Sequence, residues 1–356
     1  MKITVLGATG QAGRHITRLL LDYKSAEVTA CARTASKLDA LEASLANRRG
    51  ALHTVAVDVE SADEVERVVS PADLVVAATS RWSDSPRTAS IAIGCSASYF
   101  GIYLSHDEKW RQLRPLHAEC VGRGLMVVDD GGAHPGLPAA MVRRATDDGE
   151  LRSAWVGAKF RLPWNELELA PETVSDFVEE IETADPSILE VGKWVRGYRH
   201  ARKFDFGDGG LETCVPMCLE EIRELGTSGT VPSAGFFIAG FGPLVDYGVF
   251  PLSMGLAKVN RRLASDLMLW GLRRWASASS GAVLVLEGER AADSTGVRLR
   301  VAHADPYILT AVAAVAAIRQ MLREPRPGVW TQAAFVKPDP FFQHLQEMGV
   351  EVDGPV

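Results

Sequence analysis

The sequence predicts an α/β protein in two parts: an N-terminal doubly wound parallel sheet, then an α+β domain with an antiparallel sheet. Over the first 150 residues, short apolar runs alternate with stretches of helical spacing, and a glycine-rich loop directly follows the first run. After residue 150 the pattern changes to alternating runs joined by turns. Apolar runs separated by helices are typical of a parallel sheet that is covered on both faces.

Periodicity predicts the elements of the first part in order. The strands are short apolar runs, at Lys2–Leu6, Glu27–Arg33, Ala51–Val57, Asp73–Ala78, Tyr99–Leu104 and Leu125–Asp129. The helices repeat apolar residues every three or four positions, at Gln11–Tyr23, Ala35–Ala46, Ala62–Val69, Pro86–Gly94 and His106–Gly122. In the last of these helices, we expect the charged first turn, Asp107-Glu108-Lys109, to be solvated.

The middle of the chain predicts antiparallel pairing. A turn at Ala292–Gly296 joins two alternating runs into a hairpin. The predicted strands are Leu151–Leu162, Trp194–Phe206, Val283–Glu289 and Val297–His303. Two helices follow, at Pro306–Leu322 and Phe341–Met348, and the pattern leaves open which sheet they cover.

Composition bounds the function. With 38 Lys and Arg against 45 Asp and Glu, the 356-residue chain carries a net charge of −7, which argues against a nucleic-acid partner. Five scattered cysteines do not form a disulfide pattern. The first strand begins at Lys2 and leaves no room for a signal peptide, so we expect a cytoplasmic protein.

One apolar stretch, Ala234–Ala257, carries a single charge, Asp246. Prolines and glycines interrupt it too often for a spanning helix, so we expect no integral membrane segment. We expect it to be buried, and we favour burial against a second copy in a two-fold homodimer. Packing inside its own subunit and contact with a membrane surface are the alternatives.

The loop between the first strand and the first helix reads Gly7-Ala8-Thr9-Gly10-Gln11-Ala12-Gly13. In a Rossmann-type domain, glycines at these positions allow a tight turn, the approach of a pyrophosphate and close packing of the helix, whose N-terminus faces the anion. The sequence therefore predicts a dinucleotide site. The alternative is a glycine turn in a fold without a ligand.

The end of the second strand decides between NAD and NADP. NAD-binding proteins usually carry an acidic residue there, but no acid lies between Val28 and Lys37. Arg33, Thr34 and Lys37 can instead donate to a 2′-phosphate, so we expect NADP in preference to NAD. The alternative is that Arg33 and Lys37 are solvated charges.

Two further loops follow strands of the same sheet, Asp58-Val59 after the third and Ala78-Thr79-Ser80 after the fourth. We expect both to line the cofactor cleft, because ligands of doubly wound sheets lie at the carboxyl ends of the strands. Alternatively, Asp58 is the N-cap of the next helix.

The sequence resembles the saccharopine dehydrogenase-like oxidoreductases nearly end to end. Its most distinctive match is a Gly-x-x-Pro-Gly-Leu element, Gly132–Leu137, after the sixth strand. The other matching segments are Gly7–Gly13, Ala97–Ser105, Gly192–Trp194, Ile308–Ala311, Pro327–Trp330 and Phe341–Gly349. The resemblance implies a Rossmann domain (1–140), a middle domain for substrate and dimer contacts (141–304), and C-terminal helices that return to the Rossmann domain (305–356).

The chain departs from this family at one position. Many relatives carry Tyr-x-Asp in the strand after the fourth helix, and here Tyr99-Phe100-Gly101 places Gly101 at the aspartate position. This departure argues against saccharopine itself as the substrate.

Three residues are candidates for proton transfer: His134, Asp130 and Tyr99. Imidazole titrates near neutral pH, although His134 can equally fix its loop by a hydrogen bond. Asp129 and Asp130 close the same strand, and the sequence leaves open which one faces the cleft. Burial on the strand is the alternative for Tyr99. Cys214 and Cys218 lie four residues apart without a His or Asp pair, so we expect no metal.

These observations predict an NADP-dependent oxidoreductase that transfers a hydride to or from a C=N, C=O or C=C bond of a small substrate in the interdomain cleft. The alternative is a non-catalytic NADP-binding regulator on the same fold, because fold does not fix function.

Overall fold

The computed structural model describes residues 1–23, 26–46, 48–167, 184–207, 209–276 and 279–354. Contacts divide these residues into two compact units. The first comprises Met1–Ala140 and Tyr307–Gly349, and the second comprises Met141–Pro306 and the described residues from Val350 onward. The predicted middle domain, 141–304, contains residues 168–183, which lie outside the described residues.

The first unit is built on seven parallel strands, labelled here in chain order. They are β1 (Lys2–Leu6), β2 (Glu27–Ala32), β3 (Ala51–Ala56), β4 (Leu74–Ala77), β5 (Ser98–Gly101), β6 (Met126–Asp129) and β15 (Gly328–Thr331). Within the described residues their order is β15-β6-β5-β4-β1-β2-β3, and each neighbouring pair is parallel. The chain reverses direction across the sheet between β1 and β4, as in dinucleotide-binding doubly wound sheets. The predicted fold class of the N-terminal part is therefore confirmed.

Helices accompany these strands, and the one that begins at Leu137 continues into the second unit. They are α1 (Gln11–Leu21), α2 (Ala35–Leu45), α3 (Ala62–Val69), α4 (Asp84–Gly94), α5 (Asp107–Leu113), α6 (His117–Arg123), α7 (Leu137–Asp147), α11 (Pro306–Arg323), α12 (Gln332–Phe335) and α13 (Pro338–Glu347). The helix predicted over His106–Gly122 is two helices, since a 3-10 turn at Arg114–Leu116 separates α5 from α6. Pro115 lacks the N–H group that a continuous helix would need there.

The second unit is built on a mixed sheet. Its strands are β7 (Leu151–Arg161), β8 (Ser187–Glu190), β9 (Lys193–Arg196), β10 (Arg202–Asp205), β11 (Leu211–Pro216), β12 (Ala234–Ala239), β13 (Gly281–Arg290), β14 (Gly296–His303) and β16 (Glu351–Asp353). The main path is β10-β11-β12-β7-β13-β14-β16. Most pairs are antiparallel as predicted, but β12 runs parallel to β7. The predicted α+β class is confirmed, but the prediction of an antiparallel sheet was wrong for the β12–β7 pair.

Two sequence predictions that concern the second unit were wrong in detail. The strand predicted over Trp194–Phe206 is two strands, because Gly197 takes a φ of +141° and a 3-10 turn follows it. The tail does not return to the first unit in full, since β16 pairs with β14. There the guanidinium of Arg300 bonds the carboxylates of Glu351 and Asp353.

The apolar stretch Ala234–Ala257 divides into two segments. Its first six residues form β12, which lies between β11 and β7 in the sheet and is almost entirely buried. These residues are core of their own unit and are therefore not available to a second copy. The remainder is helical, in a π-helical turn at Val245–Val249 and in α9 (Phe250–Ala257), and is followed by α10 (Arg261–Trp275). The homodimer stays a prediction.

One more helix, α8 (Glu220–Thr227), belongs to the second unit. The core of that unit is aromatic on one face of the sheet, where Phe204, Phe206 and Phe237 pack together. Gly157 on β7 leaves room for Phe204, since a Cβ there would lie 2.5 Å from its ring.

Among the helices in the described part of the chain, none has both the length and the apolar content needed to cross a membrane.

Candidate functional site

The glycine loop lies where β1 ends and α1 begins, and two of its glycines are required by the chain itself. Gly7 has a φ of +77°, and a side chain there would collide with the carbonyl of Ala78 at the end of β4. A side chain at Gly13 would collide with the Gly7 carbonyl. The N–H groups of Gly7 and Ala8 both donate to the carbonyl of Cys31, at 2.9 and 3.0 Å. The loop is thus fixed between β2 and β4.

Gly10 is different, because the chain does not require it to be glycine. It is exposed and extended (φ −70°), and a Cβ there would meet only backbone carbonyls, the nearer being Gly7 O at 3.2 Å. It precedes α1 without a side-chain cap, and the first turn of α1 contains no acid. The first N–H groups of a helix lack partners within the helix and attract anions. Thr9, Gln11 and Ala12 flank this position, so the loop fits a pyrophosphate.

The residues predicted to bind a 2′-phosphate lie at the end of β2. Arg33, Thr34 and Lys37 are all exposed, and Thr34 begins α2 without a side-chain capping bond. Within the described residues, neither the Arg33 guanidinium nor the Lys37 ammonium makes a hydrogen bond or an ion pair, and the first turn of α2 contains no acid. These two cations are therefore not engaged by carboxylates of the chain.

The remaining cofactor candidates also follow strands of this sheet. The Ala78 N–H group donates to the Leu6 carbonyl at 2.8 Å, and the Thr79 hydroxyl bonds that of Tyr103 at 2.6 Å; Ser80 is exposed. Asp58 is exposed and accepts a bond from the N–H group of Glu60, whereas Ser61 is the N-cap of α3. The alternative of Asp58 as an N-cap was therefore wrong. The carbonyl of its neighbour, Val59, accepts from Arg87 at 2.6 Å.

A buried ionic cluster lies at the carboxyl ends of β5 and β6. Lys109, in the first turn of α5, is fully buried together with Asp129 and Asp130. Its ammonium group donates to the Leu104 carbonyl at 2.8 Å, to Asp129 Oδ1 at 2.7 Å and to Asp130 Oδ1. The indole N–H of Trp110 donates to Asp130 Oδ2 at 3.1 Å. The predicted solvated turn was wrong for Lys109, because its side chain turns inward with Trp110.

Hydroxyl groups extend this cluster across the sheet. Ser85 on α4 donates to Asp129 Oδ2, and the Tyr99 hydroxyl donates to Ser85 at 3.0 Å. Tyr99 is fully buried, and Tyr103 beside it bonds the partly exposed Thr79. Polar groups therefore run from the loop after β4 to the aspartates after β6.

Burial controls the protonation states here. Burial raises the pKa of Asp130 and raises that of Tyr99 well above the usual tyrosine value. Burial alone would lower the pKa of Lys109, but the carboxylates of Asp129 and Asp130 outweigh it, so that the pKa is raised and the ammonium stays charged. His134 keeps a small exposed area, yet enclosure of its ring lowers its pKa to about 4. The imidazole is therefore neutral at neutral pH.

Of the three candidates for proton transfer, the structure brings Asp130 and Tyr99 into this one network, and His134 follows in the loop after β6. Their catalytic roles stay predictions. Among the described residues, no group of three or more His, Cys, Asp or Glu side chains is arranged to hold a metal ion.

Comparisons with known proteins support both the fold and a nucleotide-binding domain. A family model described as NAD(P)H-binding matches residues 7–98. Apo saccharopine dehydrogenase (L-Glu forming) from Saccharomyces cerevisiae superposes with a TM-score of 0.70 at 14% identity, and the match covers 100% of both chains. The chain has the saccharopine dehydrogenase fold. No curated protein sequence matches it.

A second solved structure is similar over almost the whole chain. An engineered D-amino acid dehydrogenase bound to NADP+ matches with a TM-score of 0.50 and 14% identity, covering 96% of this chain and 95% of the other. At sequence identities this low, the structural similarity establishes a shared fold. The family match over residues 7–98 supports the expectation of a nicotinamide cofactor.

Within this saccharopine dehydrogenase fold, the structure explains the glycine at position 101. A Cβ there would lie 2.5 Å from Asp129 Oδ2 and 2.9 Å from the Tyr99 hydroxyl. The carboxylate of the neighbouring strand β6 thus occupies the space in which a side chain of residue 101 would begin. Although residue 101 has no side chain, Asp129 provides a carboxylate at this edge of the sheet.

Sequence reasoning missed Lys109 as a member of the site. The available signal was the pair Asp129-Asp130 at the end of an apolar strand, since buried carboxylates require a cation. Lys109 and Leu113 also lie four residues apart and share the buried face of α5.

We expect Gly10→Val and Gly13→Val to fail in different ways. Gly10→Val should fold normally and lose NADPH affinity by about a hundredfold or more, because a branched side chain blocks the approach to the α1 N-terminus. Gly13→Val should instead lower the free energy of unfolding by about 3 kcal/mol, since its side chain meets the Gly7 backbone. Fluorescence titration with NADPH and denaturant unfolding separate the two effects. Undiminished affinity in Gly10→Val would show that the loop is a turn only.

We expect Lys109→Met to lower the free energy of unfolding by about 3–5 kcal/mol, because it leaves two buried carboxylates without their cation. Arg111→Met, on the exposed side of the same helix, removes the same charge and should cost about 1 kcal/mol or less. Without the ammonium group, the folded-state pKa of Asp130 rises further above its unfolded value. Lys109→Met should therefore regain stability as the pH is lowered from about 7 to 5. Equal losses in the two variants would contradict the cluster.

Proposed function

We propose that this protein is an NADPH-dependent oxidoreductase. The proposal rests on two cations, Arg33 and Lys37, that follow β2. Arg33 and Lys37 are exposed and unpaired within the described residues, and no acid occupies the position that would select NAD. The glycine loop and the α1 N-terminus fit the pyrophosphate of the same cofactor.

Arg33 presents a planar guanidinium that can donate two parallel bonds to a phosphate, and Lys37 adds a second charge one helical turn later. Thr34 is a further donor, because its hydroxyl is not used to cap α2. Arg14, in the first helix, is a third exposed cation. These donors account for a preference of NADPH over NADH.

A bound nicotinamide supplies or accepts the hydride, and the chain must hold or move one proton. We propose a division of labour among the predicted catalytic residues. Both Asp130 oxygens are bonded, to Lys109 and Trp110, and Tyr99 is enclosed, so these two residues position the edge of the sheet. We assign the proton to His134, whose neutral imidazole accepts one when the substrate is oxidised and returns it when the imine is reduced.

For the substrate, we propose a C=N bond first. One similar structure is named a saccharopine dehydrogenase (L-Glu forming) and the other a D-amino acid dehydrogenase, and oxidation of an amino acid passes through an imine. A C=O or a C=C bond is the next choice. The protein is expected to act on a small molecule, and the homodimer predicted from the sequence belongs to the same proposal.

We expect Arg33→Asp to weaken NADPH binding by about 10- to 100-fold and to leave NADH binding within about twofold, because only the 2′-phosphate loses a charged donor. Arg49→Asp is the matched control, since Arg49 is exposed and precedes β3, at the amino ends of the strands, whereas Arg33 lies at their carboxyl ends. Calorimetric titration with both cofactors measures the difference. Wild-type protein that binds both cofactors equally would contradict the choice of NADP.

Turnover decides between the enzyme and a non-catalytic NADP-binding regulator. We expect NADPH consumption, followed by its absorbance, with mixtures of 2-keto acids and amines, and less or none with ketone and enone mixtures. His134→Gln should lower turnover by roughly 100-fold or more while retaining NADPH affinity. Tight NADPH binding without turnover in any mixture would favour the regulator.

A further inference from the structure

The second unit carries a helical hairpin whose outer face is apolar. The hairpin, Leu244–Trp275, consists of the π-helical turn Val245–Val249, α9 and α10. It holds half of the exposed large apolar side chains in the described residues, namely Leu244, Tyr247, Leu252, Val259, Leu263, Trp270 and Trp275. An exposed apolar patch of this kind marks an interaction surface.

The outer face is not a by-product of loose packing, because the inner face of the hairpin is well packed. Val245, Val249 and Ser253 are buried on the first arm, and Met268 on the second. Gly271 lets the two arms approach closely, since a Cβ there would lie 2.6 Å from the Val249 side chain. The outer row of a solvent-facing helix is normally polar. Here no charged residue occurs between Asp246 and Lys258.

Positive charge borders this apolar face. Five cations lie at the turn between α9 and α10 and at the end of α10: Lys258, Arg261, Arg262, Arg273 and Arg274. The Arg273 guanidinium donates to the carbonyls of Trp164 and Leu167, both at 3.2 Å. The two acids are Asp246 and Asp266, and Asp246 turns back to accept the N–H groups of Phe241 and Gly242 at 2.8 and 3.1 Å. The hairpin is thus net positive in a chain whose net charge is −7.

We propose that the hairpin docks on the surface of a membrane that contains anionic phospholipids. Exposed aliphatic side chains together with Tyr247 and Trp270 suit the boundary between acyl chains and headgroups. The cations other than Arg273, which is bonded to backbone carbonyls, suit the phosphates of anionic lipids. The helical stretch 245–257 is about 20 Å long, against about 30 Å for the hydrocarbon core of a bilayer, so it lies along the surface.

The alternative occupant is a second copy of the chain. A two-fold contact through this face would place the same five cations of each copy close to one another. Like charges across an interface oppose association, whereas an anionic membrane neutralises them. The charges therefore favour the lipid surface for this face, and the homodimer of the proposed function would form through another face of the chain.

The chain offers a matched control for the experiment. Leu252 and Val259 on the hairpin are 66% and 86% exposed, and Leu211 and Val191 elsewhere in the second unit are 66% and 82% exposed. The test variant is Leu252→Ser/Val259→Ser, and the control is Leu211→Ser/Val191→Ser. All four side chains are solvent-exposed, so both variants should keep the wild-type melting temperature.

Flotation with vesicles of phosphatidylcholine, alone or mixed with phosphatidylglycerol, measures docking. We expect the wild type to bind the mixed vesicles at least about tenfold more tightly, and high salt to weaken this binding. The test variant should lose roughly tenfold in affinity, and the control variant should bind as the wild type does. Lys258→Gln/Arg262→Gln should remove much of the preference for phosphatidylglycerol.

Three results would overturn the proposal. One is a wild type that does not float with the mixed vesicles. Another is an equal loss of binding in the test and control variants. The third is a wild-type dimer in sedimentation equilibrium that becomes a monomer only in the test variant, without vesicle binding by the wild type. That result would assign the face to a second copy. Because none of these measurements uses the cofactor, they are independent of NADPH binding and turnover.

Discussion

The ammonium group of Lys109 connects three elements at the carboxyl edge of the first sheet. It joins α5 to both aspartates that follow β6 and to the Leu104 carbonyl after β5. Without its charge, two carboxylates would be buried with no counter-ion, a state that costs several kcal/mol. Asp129 in turn holds Ser85, and Ser85 holds Tyr99. The geometry of this edge therefore depends on one cation.

The sequence could predict what local periodicity encodes. Strands such as Lys2–Leu6 and helices such as Ala62–Val69 were located to the residue, because apolar spacing and caps are local signals. The glycine loop was also predictable, since Gly7 and Gly13 are required by contacts within a single β-α unit and its neighbouring strands. The position of Arg33 directly after a strand was also predictable, because it depends on the local spacing of apolar residues.

What the sequence could not predict depends on contacts between distant segments. Lys109 follows Asp107 and Glu108 and looks like part of a solvated turn, and only the fold brings it to Asp129. Gly101 is a second example. In the sequence, a glycine at this position indicated the loss of a carboxylate, but in the fold Asp129 of the neighbouring strand places its carboxylate there. The parallel pairing of β12 with β7 and the antiparallel pairing of β16 with β14 in the second sheet likewise follow from register rather than from composition.

The position of β15 at the edge of the first sheet affects the order in which the two units can fold during synthesis. β15 pairs with β6, although about 200 residues separate them in the sequence, and the whole of the second sheet except β16 is encoded between them. During synthesis, β6 leaves the ribosome long before β15 is made. The backbone N–H and C=O groups on the outer edge of β6 therefore stay unpaired during that time. An unpaired strand edge is a template for wrong pairing. The nucleotide-binding half therefore begins first but is complete only after most of the second unit has been made, and a nascent chain of this protein has reason to need a chaperone during that interval.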